Sequence, residues 1–369
     1  PTEVSSEYGA DALRYTLVTQ ASPGNDSRLS IQKVEASRNF GNKLWNATRF
    51  ALRTISEHEI AMDADGPARP TGDLALADRW ILSRLDDVTR GSTRLLENYL
   101  FGEAGRQLRE FVWSELCDWY IEAAKGAFRS EEPHVRGETL HTARIVLDGT
   151  LRLLHPFMPF VTEELWQHLH GWPSRDETLP TDMKSLMKAA WPTAGDTDDE
   201  AERDFNLLIE TIREIRNARA ESVRDAPDSQ KRDLTTKRIE ALIAGGARTP
   251  MLRQEADILS RLAQLDPQKL IIEEELRERP DQATTLVIGE VEVALPLAGM
   301  VDLKAERARL QGEADAAESE VARLGKMLEN EEFTTKAPVA VVGRMRNSRA
   351  AAEERLGKLR ERLGAMEQG

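Results

Sequence analysis

From Asp302 to the C-terminus the chain carries a heptad repeat, which restricts the fold more tightly than any other feature of the sequence. Apolar residues alternate at steps of three and four, the spacing of a coiled-coil seam. The seam residues before and after an interruption near Pro338 are Leu303, Leu310, Ala314, Ala317, Val321, Leu324 and Leu328, then Val342, Met345, Ala352, Leu356, Leu359, Leu363 and Met366. Two such helices can bury their apolar faces against each other or against a second chain. Because only a short loop joins them, the sequence predicts an antiparallel coiled-coil hairpin over residues 301–369.

Residues 1–195 are predicted to form a helical bundle, because apolar residues recur at steps of three and four in several separate runs. Two of these runs are Phe40, Leu44, Ala47, Ala51 and Trp80, Leu82, Leu85, Val88. Stretches rich in Pro and Gly at residues 61–73 and 172–180 end the helices. The acidic stretch 196–204 predicts a solvated start to the next helix. The expected fold class is therefore mainly α.

Residues 196–300 are predicted to form a small α/β module that connects the bundle to the hairpin. A helix is expected over residues 205–221, and an extended segment over residues 269–273. The β-branched stretch TTLVIGEVEVALPL alternates with period two around Gly289 and Glu290, which indicates a β-hairpin.

Two stretches of positive charge stand out from an acidic chain of formal net charge -14. Residues 28–53 contain six basic side chains and one acidic side chain, and residues 338–364 contain seven basic and three acidic. Local fields, rather than the net charge, decide whether a polyanion docks. Two separated basic stretches therefore favour one long polyanion as the partner.

The sequence predicts no catalytic residue, no metal site and no cofactor. Cys117 is the only cysteine, which excludes a disulfide framework and a multi-cysteine zinc site and favours a reducing, cytoplasmic compartment. His155, His168 and His170 have no cysteine or carboxylate at ligand spacing. No glycine-rich phosphate loop or nucleophile elbow occurs. No apolar run reaches the roughly 20 residues that a membrane span needs.

The richest polar constellation lies within the first basic stretch and consists of Arg38, Asn39, Asn42, Lys43, Asn46, Arg49 and Phe50. At helical spacing the arginine and asparagine side chains share one face, opposite Phe40 and Leu44. Guanidinium groups can bind phosphates, amides can pair with base edges, and Phe50 can stack on an unpaired base. The constellation is a candidate RNA-binding surface, and an ordinary solvated helix face remains the alternative.

A second cluster, WSELCDWY, places aromatic and acidic side chains on one predicted helix. Tryptophan at these steps belongs more often to a bundle core than to a stacking platform, so Trp113, Trp119 and Tyr120 are predicted to be core residues. Asp118 is predicted to pair with an arginine of a neighbouring helix.

The candidate contacts of the C-terminal hairpin are the basic residues Arg344, Arg346, Arg349, Lys358 and Arg360. The alternative is that they balance the glutamates of the partner helix, as flanking charges in coiled coils do. Arg349 falls on a seam position, where a long basic chain packs poorly, so a binding duty or a shift in register is expected there.

Several strings, in order, resemble one family. EYGADALRYTL, a SPGND turn and RNFGNKLWNATRF resemble the segment directly after the KMSKS loop in the valine, isoleucine and leucine branch of the class I aminoacyl-tRNA synthetases. WSELCDWYIEAAK and LHPFMPFVTEELWQHL resemble the anticodon-binding bundle of that branch. The chain starts at Pro1 and runs directly into the first string, so further domains are expected upstream.

The tail distinguishes the branches of this family. VEVALPLAGMVDLKAERARL followed by LENEEFTTKAPVAVV is similar to the coiled-coil arm of bacterial valyl-tRNA synthetases. Isoleucyl enzymes typically end in a cysteine-rich zinc element, which a chain with one cysteine cannot build, and leucyl enzymes end in a compact domain without this hairpin. The stretch RAESVRDAPDSQKRDL departs from the more apolar pattern of the family.

The resemblance implies a monomeric fragment that binds tRNA(Val), with no DNA or membrane partner. It implies that the bundle contacts the anticodon region and that the arm lies along the outer corner of the tRNA. No HIGH-type or KMSKS string occurs, so the fragment is expected to be inactive, and ATP would bind only to the full-length valine-tRNA ligase. A free-standing tRNA-binding paralogue and a coiled-coil scaffolding protein remain the alternatives.

Overall fold

A computed structural model of the 369-residue chain shows two compact units, Pro1–Ile209 and Glu210–Gly369. The structure describes residues 2–20, 29–56, 69–70, 72–170, 185–225, 231, 235–276, 283–296, 303–329, 343, 345–353, 356–357 and 360. Within this described part, the protein is mostly helical with one small mixed β-sheet. None of the helices described is long and apolar enough to cross a membrane.

The first unit is built from helices. Its α-helices are α1 (Thr2–Tyr8), α2 (Ala10–Gln20), α3 (Ile31–Ser56), α4 (Leu76–Glu97), α5 (Phe101–Glu110), α6 (Ile121–Ala124), α7 (Pro133–Leu154) and α8 (Pro159–Leu169). A π-helix, Phe111–Tyr120, joins α5 to α6, and short 3-10 turns cover Ala127–Arg129 and Leu186–Lys188. Helix α9 (Asp199–Asp225) starts in the first unit and ends in the second.

The core of the first unit forms where the apolar stripes of these helices meet. Trp80 of α4 stacks on Phe205 of α9 with ring centroids 4.4 Å apart, and Tyr15 of α2 lies 5.3 Å from Phe40 of α3. All four side chains are almost fully buried. Aromatic pairs at these distances add attraction beyond the burial of their area, so they fix how the helices pack.

The acidic start of α9 is exposed at Asp196, Asp199 and Glu200, as expected from the sequence, and it is also tied to α4. Arg79 donates to Asp198 at 2.8 Å, and Arg84 donates to Glu202 at 3.3 Å. Asp198 also accepts the backbone N–H of Ala201 at 2.9 Å, which is a helix N-cap. The carboxylates thus satisfy the helix terminus and bind basic side chains of α4 at the same time.

The π-helix is held against α4 at its middle and at its C-terminal end. Glu115 accepts a hydrogen bond from Arg84 of α4 at 2.7 Å. At the C-terminal end, the Tyr120 hydroxyl donates to the Asp78 carboxylate of α4 at 2.8 Å. Long runs of i→i+5 bonding are rare, so these contacts from α4 help to maintain the wider winding.

Asp78 is a buried carboxylate at the junction of three helices. It accepts hydrogen bonds from Tyr120 at 2.8 Å and from Thr139 of α7 at 2.7 Å. Burial raises the pKa of Asp78 from 3.8 to about 6, although the two hydrogen bonds act in the opposite direction and only partly offset it. In the folded protein, Asp78 is therefore mostly protonated below about pH 6.

The second unit contains a four-stranded sheet in the order β2-β1-β4-β3. Its strands are β1 (Ile239–Ala244), β2 (Leu265–Glu273), β3 (Ala283–Ile288) and β4 (Val291–Pro296). Strands β3 and β4 are antiparallel, and Gly289 between them has a φ of 57°, which confirms the predicted hairpin. Strand β1 was not predicted. Four residues of IEALIA (Glu, Ala, Leu, Ala) are good helix formers, and the pairing of the segment with both β2 and β4 overrides that preference.

Two short helices follow β1 in the second unit, α10 (Thr249–Gln254) and α11 (Ala256–Ala263). Arg219 of α9 donates to the carbonyl oxygens of Ala263 and Lys237 at 2.9 and 2.8 Å. Burial lowers the pKa of Arg219, and the C-terminal end of α11 supplies the partial negative charge that favours a cation there. One planar guanidinium thus ties α9 to α11 and to the chain entering β1.

The substitution Asp78→Asn should remove a pH dependence of stability. The folded state of the wild type keeps a proton between about pH 4 and about pH 6 that the unfolded state releases, so this group stabilises the fold at acidic pH and loses that contribution as pH rises through 6. A shift from 3.8 to about 6 corresponds to about 3 kcal/mol. Urea unfolding from about pH 4 to about pH 7.5 measures it: the stability of the wild type relative to the variant should fall by that amount.

The exposed acid Asp73 provides the matched control for this measurement. Asp73→Asn removes an equal charge just before α4 without touching the buried junction. Equal pH profiles for wild type and Asp78→Asn would mean that Asp78 is charged throughout the range.

Arg219→Lys should destabilise the second unit by about 2–4 kcal/mol, because a lysine ammonium cannot reach several carbonyl oxygens in the way that a planar guanidinium does. The exposed Arg224, also on α9, is the control, and Arg224→Lys should leave the denaturation midpoint unchanged. Equal midpoints for the two variants would show that the carbonyl contacts of Arg219 add nothing.

Candidate nucleic-acid interface

Helix α3 separates the predicted polar set from the core. Its apolar residues Phe40 and Leu44 are fully buried. The exposed residues of the predicted set are Arg38, Asn39, Asn42, Asn46 and Arg49. The separation follows from helical spacing, since side chains three or four positions apart share a face. The helix therefore presents a row of guanidinium and amide groups to solvent.

Lys43 differs from the rest of the set because its side chain is only 24% exposed. Its ammonium donates to the Asp118 carboxylate of the π-helix at 2.6 Å. The same nitrogen lies 3.9 Å from the ring centroid of Trp113, which is a close cation–π contact. Lys43 thus joins α3 to the π-helix through an ion pair and an aromatic face.

Trp113 is half-buried at the edge of this surface, so its assignment to the core is wrong. The guanidinium of Arg109 lies 5.7 Å from its ring. Trp119 and Tyr120 are buried, as predicted. The difference arises because i→i+5 winding is looser than that of an α-helix, so faces assigned with a 3.6-residue period drift along the segment.

Asp118 is exposed and pairs with a lysine of α3, whereas an arginine was predicted. The arginine that reaches the π-helix, Arg84, binds Glu115 instead. Basic residues of two different helices therefore hold the two acidic residues of the π-helix.

Further cation–aromatic contacts lie at either end of the row. Arg38 lies 5.6 Å from the ring of Tyr8 in α1. At the other end, Phe50 is half-buried against Phe128 at 6.4 Å, and Lys125 lies 5.5 Å from its ring. The α3 surface is defined as the predicted set together with five further residues. Sequence reasoning missed Tyr8, Arg109 and Lys125. It had assigned Trp113 to the core and Asp118 to an ion pair with an arginine.

The arm residues are only partly described. Arg344 and Lys358 lie outside the described residues, and Arg346 is exposed. Arg349 donates to Glu353 at 2.8 Å, four residues further along. Arg360 donates to Glu318 of α12 (Leu303–Glu329) at 2.9 Å. Two of the candidate contacts are therefore already paired with glutamates, and Arg346 is fully presented to solvent.

The three histidines discussed above have nearby partners. His155 shares a 2.8 Å hydrogen bond with Thr162, and His168 lies 3.2 Å from Glu164. His170 is buried 3.0 Å from the Asp148 carboxylate, a carboxylate partner that the sequence did not reveal. Within the described residues, no group of three or more histidine, cysteine, aspartate or glutamate side chains could hold a metal ion.

Comparisons with known proteins match the whole chain. Residues 78–231 match the anticodon-binding domain of tRNA ligase, and residues 302–367 match the valyl tRNA synthetase tRNA binding arm. Valine–tRNA ligases of Bacillus cereus and Bacillus subtilis are each 39% identical over 373 residues, covering 100% and 98% of this chain. That of Geobacillus stearothermophilus is 38% identical over 371 residues. The chain spans 39% of the length of each of these relatives.

A chain with this helical unit, this domain match and this terminal arm belongs to the tRNA ligases that carry an anticodon-binding domain. Its similarity along its whole length to valine–tRNA ligases and its match to the tRNA binding arm identify the family within this class. It belongs to the valine–tRNA ligase family and corresponds to the C-terminal region of those enzymes.

Proposed function

We propose that this chain is the tRNA-binding part of a valine–tRNA ligase that joins valine to tRNA(Val) with ATP, and that it contributes no catalytic residue itself. The α3 surface carries the proposal: an exposed row of arginine and asparagine on an acidic protein of net charge -14. Support comes from the two tRNA-related domain matches and from relatives that carry the ligase name.

The α3 surface suits an unpaired RNA loop such as an anticodon. Arg38 and Arg49 present exposed guanidinium groups 11 positions apart on one helix, which is about 16 Å along its axis. Guanidinium groups bind phosphate oxygens through paired N–H donors. Asn42 and Asn46 lie between them and offer amides that can donate to and accept from base edges. Phosphate and base contacts are thus available side by side.

The C-terminal residues are proposed to form the antiparallel coiled-coil arm. Arg360 reaches Glu318, and the Arg349 guanidinium lies 3.8 Å from where a Cβ on Gly325 would stand. A later position on α12 (Gly325 after Glu318) thus faces an earlier position on the second helical stretch (Arg349 before Arg360). This order is the one expected of antiparallel helices. Among the described residues of both segments, the buried apolar side chains are Ala314, Ala317, Leu324, Ala352 and Leu356, which all belong to the predicted seam.

The arm is proposed to brace the outer corner of the tRNA. Its second basic stretch, residues 338–364, lies far along the chain from the α3 surface. Arg349, at a predicted seam position, lies beside Gly325 of α12. We propose three functional domains on this basis: 1–195 for the anticodon region, 196–300 as connection, and 301–369 as the arm.

The chain should bind tRNA(Val) in a salt-dependent manner, and the α3 arginines should carry part of that dependence. Arg38→Gln and Arg49→Gln should each weaken binding about tenfold and reduce the slope of log K against log salt by about 0.7 per lost phosphate contact. Filter-binding titrations from about 50 mM to about 200 mM salt measure both quantities. The control is Arg94→Gln, which removes an exposed arginine of α4 away from the set.

Two results of these titrations would count against the function. One is binding that does not change with salt. The other is equal affinity of the wild type for tRNA(Val) and for tRNAs of unrelated specificity, which would leave a general RNA-binding protein.

The hairpin predicts a monomer in solution. Sedimentation equilibrium of the whole chain should give the monomer mass of 41.4 kDa. Leu324→Glu should then lower the stability of the arm without changing the mass. A dimer that this substitution dissociates would instead mean that the heptads join two chains, as a scaffolding protein requires.

A further inference from the structure

The contact between Lys43, Trp113 and Asp118 is arranged differently from the other contacts of the α3 surface. The Lys43 ammonium lies only 3.9 Å from the centroid of the indole ring, while Asp118 accepts its hydrogen bond at 2.6 Å. Trp113 remains half-buried although the neighbouring Trp119 is buried. A large aromatic face is therefore kept at the surface and covered by a charged side chain.

This covering can be exchanged for a ligand. The Asp118 side chain is 52% exposed, and ion pairs at such sites add little net stability because water screens them. A cation–π contact at a partly exposed site is also weak. An unpaired nucleotide offers a flat base for the indole and a phosphate for the ammonium, so it can replace both contacts at once.

Resting on the proposed RNA-binding function, we propose that Trp113 is a stacking platform for one unpaired base and that Lys43, anchored by Asp118, is its lid. In the complex, the base takes the place of the ammonium on the indole face. Lys43 then donates to an RNA phosphate instead of to Asp118. Asn42 and Asn46, one position before and three positions after Lys43 on α3, are exposed beside this point and can contact the edge of the stacked base.

The lid also gives Asp118 a role in selectivity. Duplex RNA offers phosphates but keeps its bases stacked inside the helix, so it cannot compensate for the indole contact that Lys43 gives up. Asp118 in addition repels phosphates that approach Lys43. The pair therefore disfavours duplex RNA relative to a loop with an unpaired base. Asp118 is a positioning residue in this arrangement, and Trp113 is the residue that touches the ligand.

The proposal is tested with the full chain by titrating tRNA(Val) and a plain RNA duplex of similar length. Trp113→Leu should weaken tRNA binding about tenfold, in the range for loss of one base–aromatic stack, without weakening duplex binding. Trp113→Phe keeps an aromatic face and should lose less tRNA affinity than Trp113→Leu. Asp118→Asn should strengthen duplex binding severalfold and narrow the preference for tRNA.

The matched control is Glu103→Gln, which removes one exposed negative charge from α5. If Asp118 had a purely structural role, Asp118→Asn would lower the melting temperature and weaken the binding of both RNAs. That result would contradict the proposed lid. Should Trp113→Leu not fold, Trp113→Phe and Asp118→Asn decide the matter. Both should narrow the preference for tRNA over the duplex, the first by weakening tRNA binding and the second by strengthening duplex binding.

The outcomes separate this inference from the function beneath it. If the wild type fails to bind tRNA(Val), the proposed function falls and the platform falls with it. If the wild type binds but Trp113→Leu keeps its affinity within about twofold, or Asp118→Asn leaves the tRNA-to-duplex ratio unchanged, only the platform is overturned.

Discussion

Two residues of the α3 surface, Trp113 and Asp118, belong to the π-helix, which is held against α4. Arg84 holds it through Glu115, and the buried Asp78 holds its last residue, Tyr120. A segment of ten residues with i→i+5 bonding is unusual, and neighbouring helices must stabilise it through contacts such as these. Its winding brings Trp113 to the surface while Tyr120 remains buried. The position of the aromatic face that meets Lys43 thus depends on contacts that Glu115 and Tyr120 make with α4.

The helical part of the fold could be predicted wherever a long amphipathic pattern dominates the energetics. Phe40 and Leu44 are buried and Arg38 and Arg49 exposed because one stripe of α3 faces the core. The β3–β4 hairpin was also predictable, since Gly289 is needed for the positive φ at its turn. These features depend on neighbours a few residues apart, which a sequence shows directly.

The remaining features depend on partners that are distant in sequence. Strand β1 exists because β2 and β4 pair with it, although its residues would suit a helix. Lys43 and Asp118 are 75 positions apart, so neither residue reveals the other. The π-helix shifts the side-chain period without a glycine or proline to mark it. Sequence pattern identified the arginines and asparagines of the site and Phe50, but only the folded chain places Tyr8 and Trp113 beside them.

The fold uses its basic residues in two distinct ways. Arg84 and Arg219 bind several oxygens each inside or at the edge of the core, where a planar guanidinium gains most from multiple fixed acceptors. Arg38 and Arg49 face solvent, and Lys43 is held by a single carboxylate and an aromatic ring. A compact ammonium on a flexible chain can change partners with little rearrangement. A lysine at the junction of α3 and the π-helix can therefore exchange its carboxylate partner for an incoming phosphate. The arginines at the buried junctions instead make contacts that stay in place.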